Sequence, residues 1–431
     1  MCTRWAIGSP FVVNAPHDAI DNCRRIKSLS DFPPRNTPSL VRYHRRVTSL
    51  HHLAIGALGA SALPPDANQE SVHVLDLGPQ HPSRTGLLLM DVHTENGSIS
   101  DVRIQPGYNH RSAEKLFEVR DYRQILMLAD RHDWHSPFTG ELGIALVCEH
   151  LMGLVPPVRA TWLRTLLAEQ ARIQSHLAHL GFIAHHTADE ALGRRISAAR
   201  NGGRDLLLAV SGNRVHPMMN RLGGLAFDVD SSWIGHIDQW ARQCADLAAD
   251  IAAVVESMKI GVGLGTIDRA LVDQFSLTGP VAAATGTLRR TRTSNPHLGY
   301  QELTDVFGEP AHTNGDASSR FLTLCDEVGE SAKLINRCRE ILAGIAGPVD
   351  TRLSKIVKVP DSEAYLALDA PWGMAGFLLV SRAERTPWRL KLRTPSLVNV
   401  QVMEQALVGC SLRDAAVVIA SLGWTAGDLD K

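Results

Sequence analysis

The stretch 151–181, LMGLVPPVRATWLRTLLAEQARIQSHLAHLG, constrains this chain more than any other. After Pro156 and Pro157, residues Leu163, Leu166, Leu167, Ile173, Leu177 and Leu180 recur at three- and four-residue spacing. That period predicts one long amphipathic helix with a wide apolar stripe, against which the rest of the chain must pack. Glu169, Arg172 and His176 fall at i, i+3 and i+7 along the edge of the stripe, so an acid, a base and an imidazole share one side. On a lone helix such a row is ordinarily a solvated face.

The chain has 431 residues, enough for a large core. Its 44 basic and 45 acidic residues leave a net charge of -1, which argues against nucleic acid as a partner and against a polybasic membrane anchor. The seven cysteines form no CxxC pair, so neither a disulfide scaffold nor a cysteine-ligated metal centre is expected. No apolar run reaches the roughly 18 residues needed to span a bilayer, so any membrane association must come through partners.

Read in order, residues 1–66 are basic and proline-punctuated with weak periodicity, and are expected to form a poorly ordered extension. A small antiparallel sheet is expected over 67–105, from β-prone runs at 72–77, 87–93 and 98–104, the last two joined through Asn96-Gly97. Helical periodicity then dominates 106–350, with the clearest helices at 111–130, 139–153, 158–181, 189–210, 232–258 and 318–345. Over 351–431 the pattern gives a hairpin, 376–382 with 388–393, then a final helix at 412–422 and a charged tail, 428–431. The fold class is therefore α+β, mainly helical, a bundle with small flanking sheets. Gly261-Val262-Gly263-Leu264-Gly265 lacks the Lys-Ser/Thr ending of a phosphate loop, and no nucleotide site is expected.

Three stretches look too particular for packing alone. Gly78-Pro79-Gln80-His81-Pro82-Ser83 is a rigid turn with a histidine between prolines. Arg131-His132-Asp133-Trp134-His135 lies where one helical pattern ends and the next begins. Gly212-Asn213-Arg214-Val215-His216 precedes Arg221-Leu222-Gly223-Gly224.

These stretches, with others in the same order, resemble the D-type subunit of the proton-pumping NADH-quinone oxidoreductase, respiratory complex I, a family related to the large subunit of nickel-iron hydrogenases. The carriers are LDLGPQHPSRTG (75–86), HRSAEKLFEVRDYRQ (110–124), VPPVRATWLRTLLAEQARIQSHLAHLG (155–181), SGNRVHPMMNRLGG (211–224), GDASSRFLTLCDEVGES (315–331) and WRLKLRTPSLVN (388–399). The resemblance runs from about residue 75 to the C-terminus. It implies the hydrogenase-large-subunit type of fold.

What it implies residue by residue is mixed. At the positions of the hydrogenase metal-binding motifs stand Asp133, Ser136 and Gly423-Trp424-Thr425-Ala426, with no thiolate for nickel or iron. Two positions implied to face the iron-sulfur cluster of a small partner subunit are intact, Arg131 and His216. A cation and an imidazole beside a cluster raise its potential and link its reduction to proton uptake. At the three quinone-facing positions, where the family has histidine, tyrosine and aspartate, this chain has Thr85, Trp134 and His186. Threonine and indole are able to hydrogen-bond or stack, but neither delivers a proton near neutral pH. His186, His132 and His135 compete as substitute acids. Further departures are Trp372 and Met374, where the family has arginine and glutamate, and Gly423-Trp424 in place of aspartate-proline.

The resemblance implies a divergent paralogue in a membrane-associated complex, peripheral on the cytoplasmic side of the cell membrane. Its partners are the cluster-bearing small subunit and the other complex I subunits of the peripheral and membrane arms, and quinone is the substrate reduced with electrons from NADH. The chain by itself is expected to bind no cofactor and to show no activity alone. The alternative is a scaffold paralogue that docks on the same partner and has lost quinone chemistry.

Overall fold

The computed structural model describes residues 48–56 and 71–431. The long helix is present and longer than its periodicity suggested: Val158–His186, here α4, with all six leucine and isoleucine residues of the stripe buried. Prolines precede it, and at its end Thr187 donates its hydroxyl to the Ile183 carbonyl at 2.9 Å. Around α4 stand α3 (Pro137–Met152), α5 (Glu190–Ser211), α6 (Ser231–Ser257) and α7 (Ala317–Leu342). Each of the last three opens on an aspartate whose carboxylate accepts a backbone N–H one turn in: Asp189 from Leu192, Asp230 from Trp233 and Asp316 from Ser319, at 2.8–2.9 Å. Glycines in the left-handed region close α3 (Gly153) and α5 (Gly212).

The expected helix over 111–130 is two short ones, α1 (Ala113–Glu118) and α2 (Gln124–Ala129). Asp121 causes the break: its carboxylate takes the Arg123 and Gln124 amides, both at 3.0 Å, and starts a new helix. Glu114 and Glu118 meanwhile reach across to Arg389, Glu118 also pairing with Lys115 along the helix at 2.6 Å.

The first sheet has four strands in the order β2-β1-β3-β4, with β1 Thr48–Gly56, β2 Val72–Leu75, β3 Leu87–Glu95 and β4 Ser98–Gln105. The expectation of a poorly ordered extension over 1–66 is corrected at β1, which lies inside the sheet, antiparallel to β3 and parallel to β2. The buried run Leu53, Ala54 and Ile55 holds it there. The rest of that expectation, at 1–47 and 57–66, falls outside the described residues. The pairing of β3 with β4 across Asn96-Gly97, both at positive φ, is as expected.

The C-terminal hairpin gains a third strand: β7 (Ser362–Ala370) pairs with β8 (Gly373–Ser381), and β8 with β9 (Arg389–Arg393), beyond a two-residue ribbon of β5 (Asn220–Arg221) and β6 (Gly224–Leu225). This sheet lies on α3, where the absent side chain of Gly143 makes room for the Phe377 ring; a Cβ there would stand 2.1 Å from it. Three helices follow: α8 (Pro395–Leu407), which the sequence reading passed over, α9 (Ala415–Ser421) and the single turn α10 (Ala426–Leu429). The charged tail is corrected outright. Asp428 and Asp430 are buried, and Lys431 pairs with Glu114 at 3.3 Å.

Candidate functional site

Two of the stretches singled out in the sequence, 78–83 and 131–135, meet at the C-terminal half of α4, where His81 lies against His179 and Ser175 donates to the His135 carbonyl at 2.9 Å. The Gly78 turn can sit there because Gly78 has φ +92° and any Cβ would come within 2.8 Å of His185. Its His81 is buried, with Nδ1 accepting the Ser83 amide at 3.2 Å. Burial pushes the His81 imidazole down to about 3. His179 meets it edge to face with ring centroids 4.6 Å apart, and accepts the Trp424 amide at Nε2, 3.3 Å. His135 and His179 are likewise pushed well below the ordinary histidine range by burial, then by neighbouring charges. These three imidazoles are neutral at pH 7 and release no proton there.

Thr85 and Trp134 are brought together. Trp134 donates its indole N–H to the Thr85 hydroxyl at 3.0 Å, and Thr85 donates its own proton to the Pro82 carbonyl at 3.0 Å. Their loops close because two glycines lack side chains: a Cβ on Gly86 would strike Ala426 at 2.1 Å, and one on Gly427 the His132 carbonyl at 2.0 Å. His186 does not join them. It is exposed at the end of α4 and stacks on Phe182, centroids 5.3 Å apart. The reason is helical phase: the apolar stripe faces the core, and this last turn runs out toward solvent. Of the competing histidines, His132 bonds within its own loop, at the Ala129 carbonyl, 2.7 Å, and lies 3.6 Å from Asp428.

Arg131 and His216 also meet, around a residue that the sequence reading passed over. Asp130 is fully buried, and its carboxylate contacts Arg131 Nη1 at 3.1 Å, the His216 Nδ1, and the Met218 amide at 3.2 Å. The α3 residue Glu141 lies against Asp130. Burial, and then Asp130, push the Glu141 carboxyl well above its usual range, while its Oε2 takes the Asn220 amide at 2.7 Å. An arginine and a histidine thus stand at the surface over a pair of buried carboxyls.

The two stretches at hydrogenase ligand positions do face each other. Asp133 accepts from the Thr425 hydroxyl at 3.1 Å and from the His135 amide at 3.1 Å. The donor set is wrong for nickel or iron, since it offers a carboxylate and a hydroxyl where soft thiolates are needed. The described cysteines lie elsewhere, at 148, 244, 325, 338 and 410, all buried. Burial, with Asp428 beside it, pushes the Asp133 carboxyl up to about 7.

The Glu169, Arg172, His176 row is no solvated face. All three are buried. Glu169 accepts from Arg292 at 3.1 Å, Tyr300 at 2.5 Å and Ser331 at 2.6 Å, and Arg292 also reaches Asp369 at 2.9 Å. His176 bonds Glu327 at 2.8 Å. The spacing at i, i+3 and i+7 was visible; its partners, more than 100 residues away in the chain, were not.

Beside Trp134, α3, α4 and α5 flank a small half-open cleft. Trp134, Phe138, Leu167 and Leu207 give its lining an apolar part, and Arg200, Arg204 and Arg214 a cationic part. No described helix is long and apolar enough to cross a membrane.

The family described as respiratory-chain NADH dehydrogenase, 49 Kd subunit, matches residues 195–357 and 351–431. The second of the D-type NADH-quinone oxidoreductase subunits of Salinispora arenicola is 41% identical over 366 residues, 83% of this chain and 94% of that protein. The first of the D-type NADH-quinone oxidoreductase subunits of Streptomyces coelicolor is 37% identical over 83% of this chain and 95% of its own length. A chain in the structure of the membrane-bound sulfane sulfur reductase, an archaeal respiratory membrane complex, superposes with a TM-score of 0.76 at 27% identity, covering 82% of this chain and 97% of that one.

Proposed function

Because the chain belongs to the 49 kDa subunit family of respiratory-chain NADH dehydrogenases, we propose that it is the subunit of a membrane-associated NADH-quinone oxidoreductase that forms the quinone pocket with a cluster-bearing partner. The observation that carries this reading is the meeting of the two headgroup loops, with Trp134 bonded to Thr85 at 3.0 Å. On this reading Arg131 and His216, both held by Asp130, face the partner's iron-sulfur cluster, which delivers electrons that began on NADH. The Arg131 cation favours the reduced cluster, and the Asp130 carboxylate fixes the Arg131 and His216 side chains so that the field is preorganised.

Quinone reduction consumes two protons for two electrons, so an acid must be at hand. Thr85 and Trp134 do not supply one. Asp133, next in sequence to Trp134 and pushed up to about 7, is the carboxyl suited to hold and release a proton near neutrality. The assembly sits peripherally on the cytoplasmic side of the membrane, reached through partner subunits.

One observation favours the second reading, a scaffold without quinone turnover. The Trp134 N–H is spent on Thr85, and the Thr85 proton is spent on Pro82. Neither donor is left for a quinone carbonyl unless that chain of bonds opens. NADH-driven quinone reduction by the complex that co-purifies with the tagged chain decides between them. Turnover blocked by a quinone-site inhibitor supports the pocket. A complex that contains the cluster subunit but shows no turnover supports the scaffold.

A further inference from the structure

We propose that the cleft lined by Trp134 is a binding site for a carboxylate carried on an apolar body. Arg200 and Arg204 lie one turn apart on α5 and line the same cleft, and Arg214 stands at its end. Among the described residues no acidic one lines it. Arg214 is answered by Asp205 at 2.6 Å, but Arg200 and Arg204 have no carboxylate partner among the described residues.

Arg200 is the telling residue, being only 5% exposed. One guanidinium nitrogen bonds the backbone and side-chain oxygens of Gln80, while its buried Nε finds no hydrogen-bond partner. A guanidinium is not discharged in a protein, so burial without a counter-charge is costly and is relieved by an anion. Burial and then the Arg204 charge pull its proton affinity down, to about 9, and Arg204 is pulled down in turn by burial and Arg214. The three cations therefore repel one another across a space that nothing negative fills.

The shape selects the class of anion. Two neighbouring guanidinium forks suit the paired oxygens of one carboxylate. The apolar part of the lining, Trp134, Phe138, Leu167 and Leu207, suits a flat or branched apolar body, and disfavours a fully hydrated ion such as phosphate. The carboxylate comes either from a free organic acid or from an acidic side chain of a partner subunit that inserts beside Val215 and Pro217.

Calorimetric titration of the full chain at low ionic strength tests this, with benzoate as probe and acetate and inorganic phosphate as comparators. A single saturable benzoate site is expected, tighter than acetate or phosphate, weakened on the order of tenfold by Arg204→Ala. Arg204 holds no other side chain in place, so its removal spares the fold, which near-UV circular dichroism verifies. Arg200→Lys keeps the charge but loses the fork, and is expected to weaken benzoate as well. Repeating the titration on the assembled complex separates the sources. Binding to both forms assigns the site to a free acid; binding to the chain but not to the complex assigns it to a partner's carboxylate. No saturable benzoate binding to the free chain, phosphate binding more tightly than benzoate, or Arg204→Ala within twofold of wild type overturns the proposal.

Discussion

Replacing Glu169 by glutamine tests whether the ion network along α4 holds the fold together. The carboxylate is fully buried and takes Arg292, Tyr300 and Ser331, with Arg172 a further 3.4 Å away. Although burial alone raises a carboxyl, Arg292 and Arg172 outweigh it and hold Glu169 down at about 2, against an ordinary 4.5. A group depressed in this way adds stability that is fully present above its unfolded value and is lost as pH falls through the folded one. The drop from 4.5 to about 2, at about 1.4 kcal/mol for each tenfold, gives roughly 3–4 kcal/mol at pH 7. Glutamine forfeits this, and also turns an NH₂ toward donors, so the expected cost is roughly 3–5 kcal/mol. Urea unfolding followed by near-UV circular dichroism reads it as a lower midpoint with unchanged slope. The gap between variant and wild type narrows as pH falls from about 4.5 toward 2, because the wild-type carboxylate then protonates. Equal midpoints at pH 7, or a gap that persists on acidification, would refute the reasoning.

Asp133→Asn probes the opposite sign. A carboxyl raised to about 7 favours folding at low pH, and that contribution is lost as pH climbs from its ordinary 3.8 to about 7. The variant is expected to melt above wild type at pH 8 and to lose that advantage below about pH 4; parallel melting curves across this range would contradict the assignment. Gly143→Ala drives a methyl to within 2.1 Å of Phe377 and is expected to cost about 1–3 kcal/mol, read in the same urea assay. The double variant Thr85→His, Trp134→Tyr restores groups able to donate to a quinone carbonyl, and is expected to raise NADH-driven quinone turnover of the assembled complex. Unchanged turnover would count against the pocket.

What was legible in the sequence was what depends on near neighbours. The stripe from Leu163 to Leu180, the Asn96-Gly97 turn and the helical periodicity over 189–210, 232–258 and 318–345 are local signals, and those elements formed close to where they were read. Long-range balance was not legible. Thr48–Gly56 reads as a weak run after a basic stretch, yet pairing on both sides makes it an inner strand. Asp428 and Asp430 look like a solvated tail, yet their acceptors serve the Ser396 amide at 3.0 Å and the Gly107 amide at 2.7 Å. The site shows the same division. Thr85, Trp134, Arg131 and His216 were picked out by resemblance; that Trp134 bonds Thr85 and that Arg131 and His216 share Asp130 was not, and Asp130 has no distinguishing pattern along the chain.

The bond from Thr425 to Asp133 spans 292 positions, that from Trp424 to His179 spans 245, and that from Gly107 to Asp430 spans 323. Such closures are entropically slow to make and cannot begin until the later segment exists. On the ribosome, then, the loops that carry Thr85 and Trp134 wait for residues 424–430 before they have a floor to rest on. A partner that reads this surface therefore meets it only after synthesis has reached those residues, and assembly order is written into the distance between the two ends of one hydrogen bond.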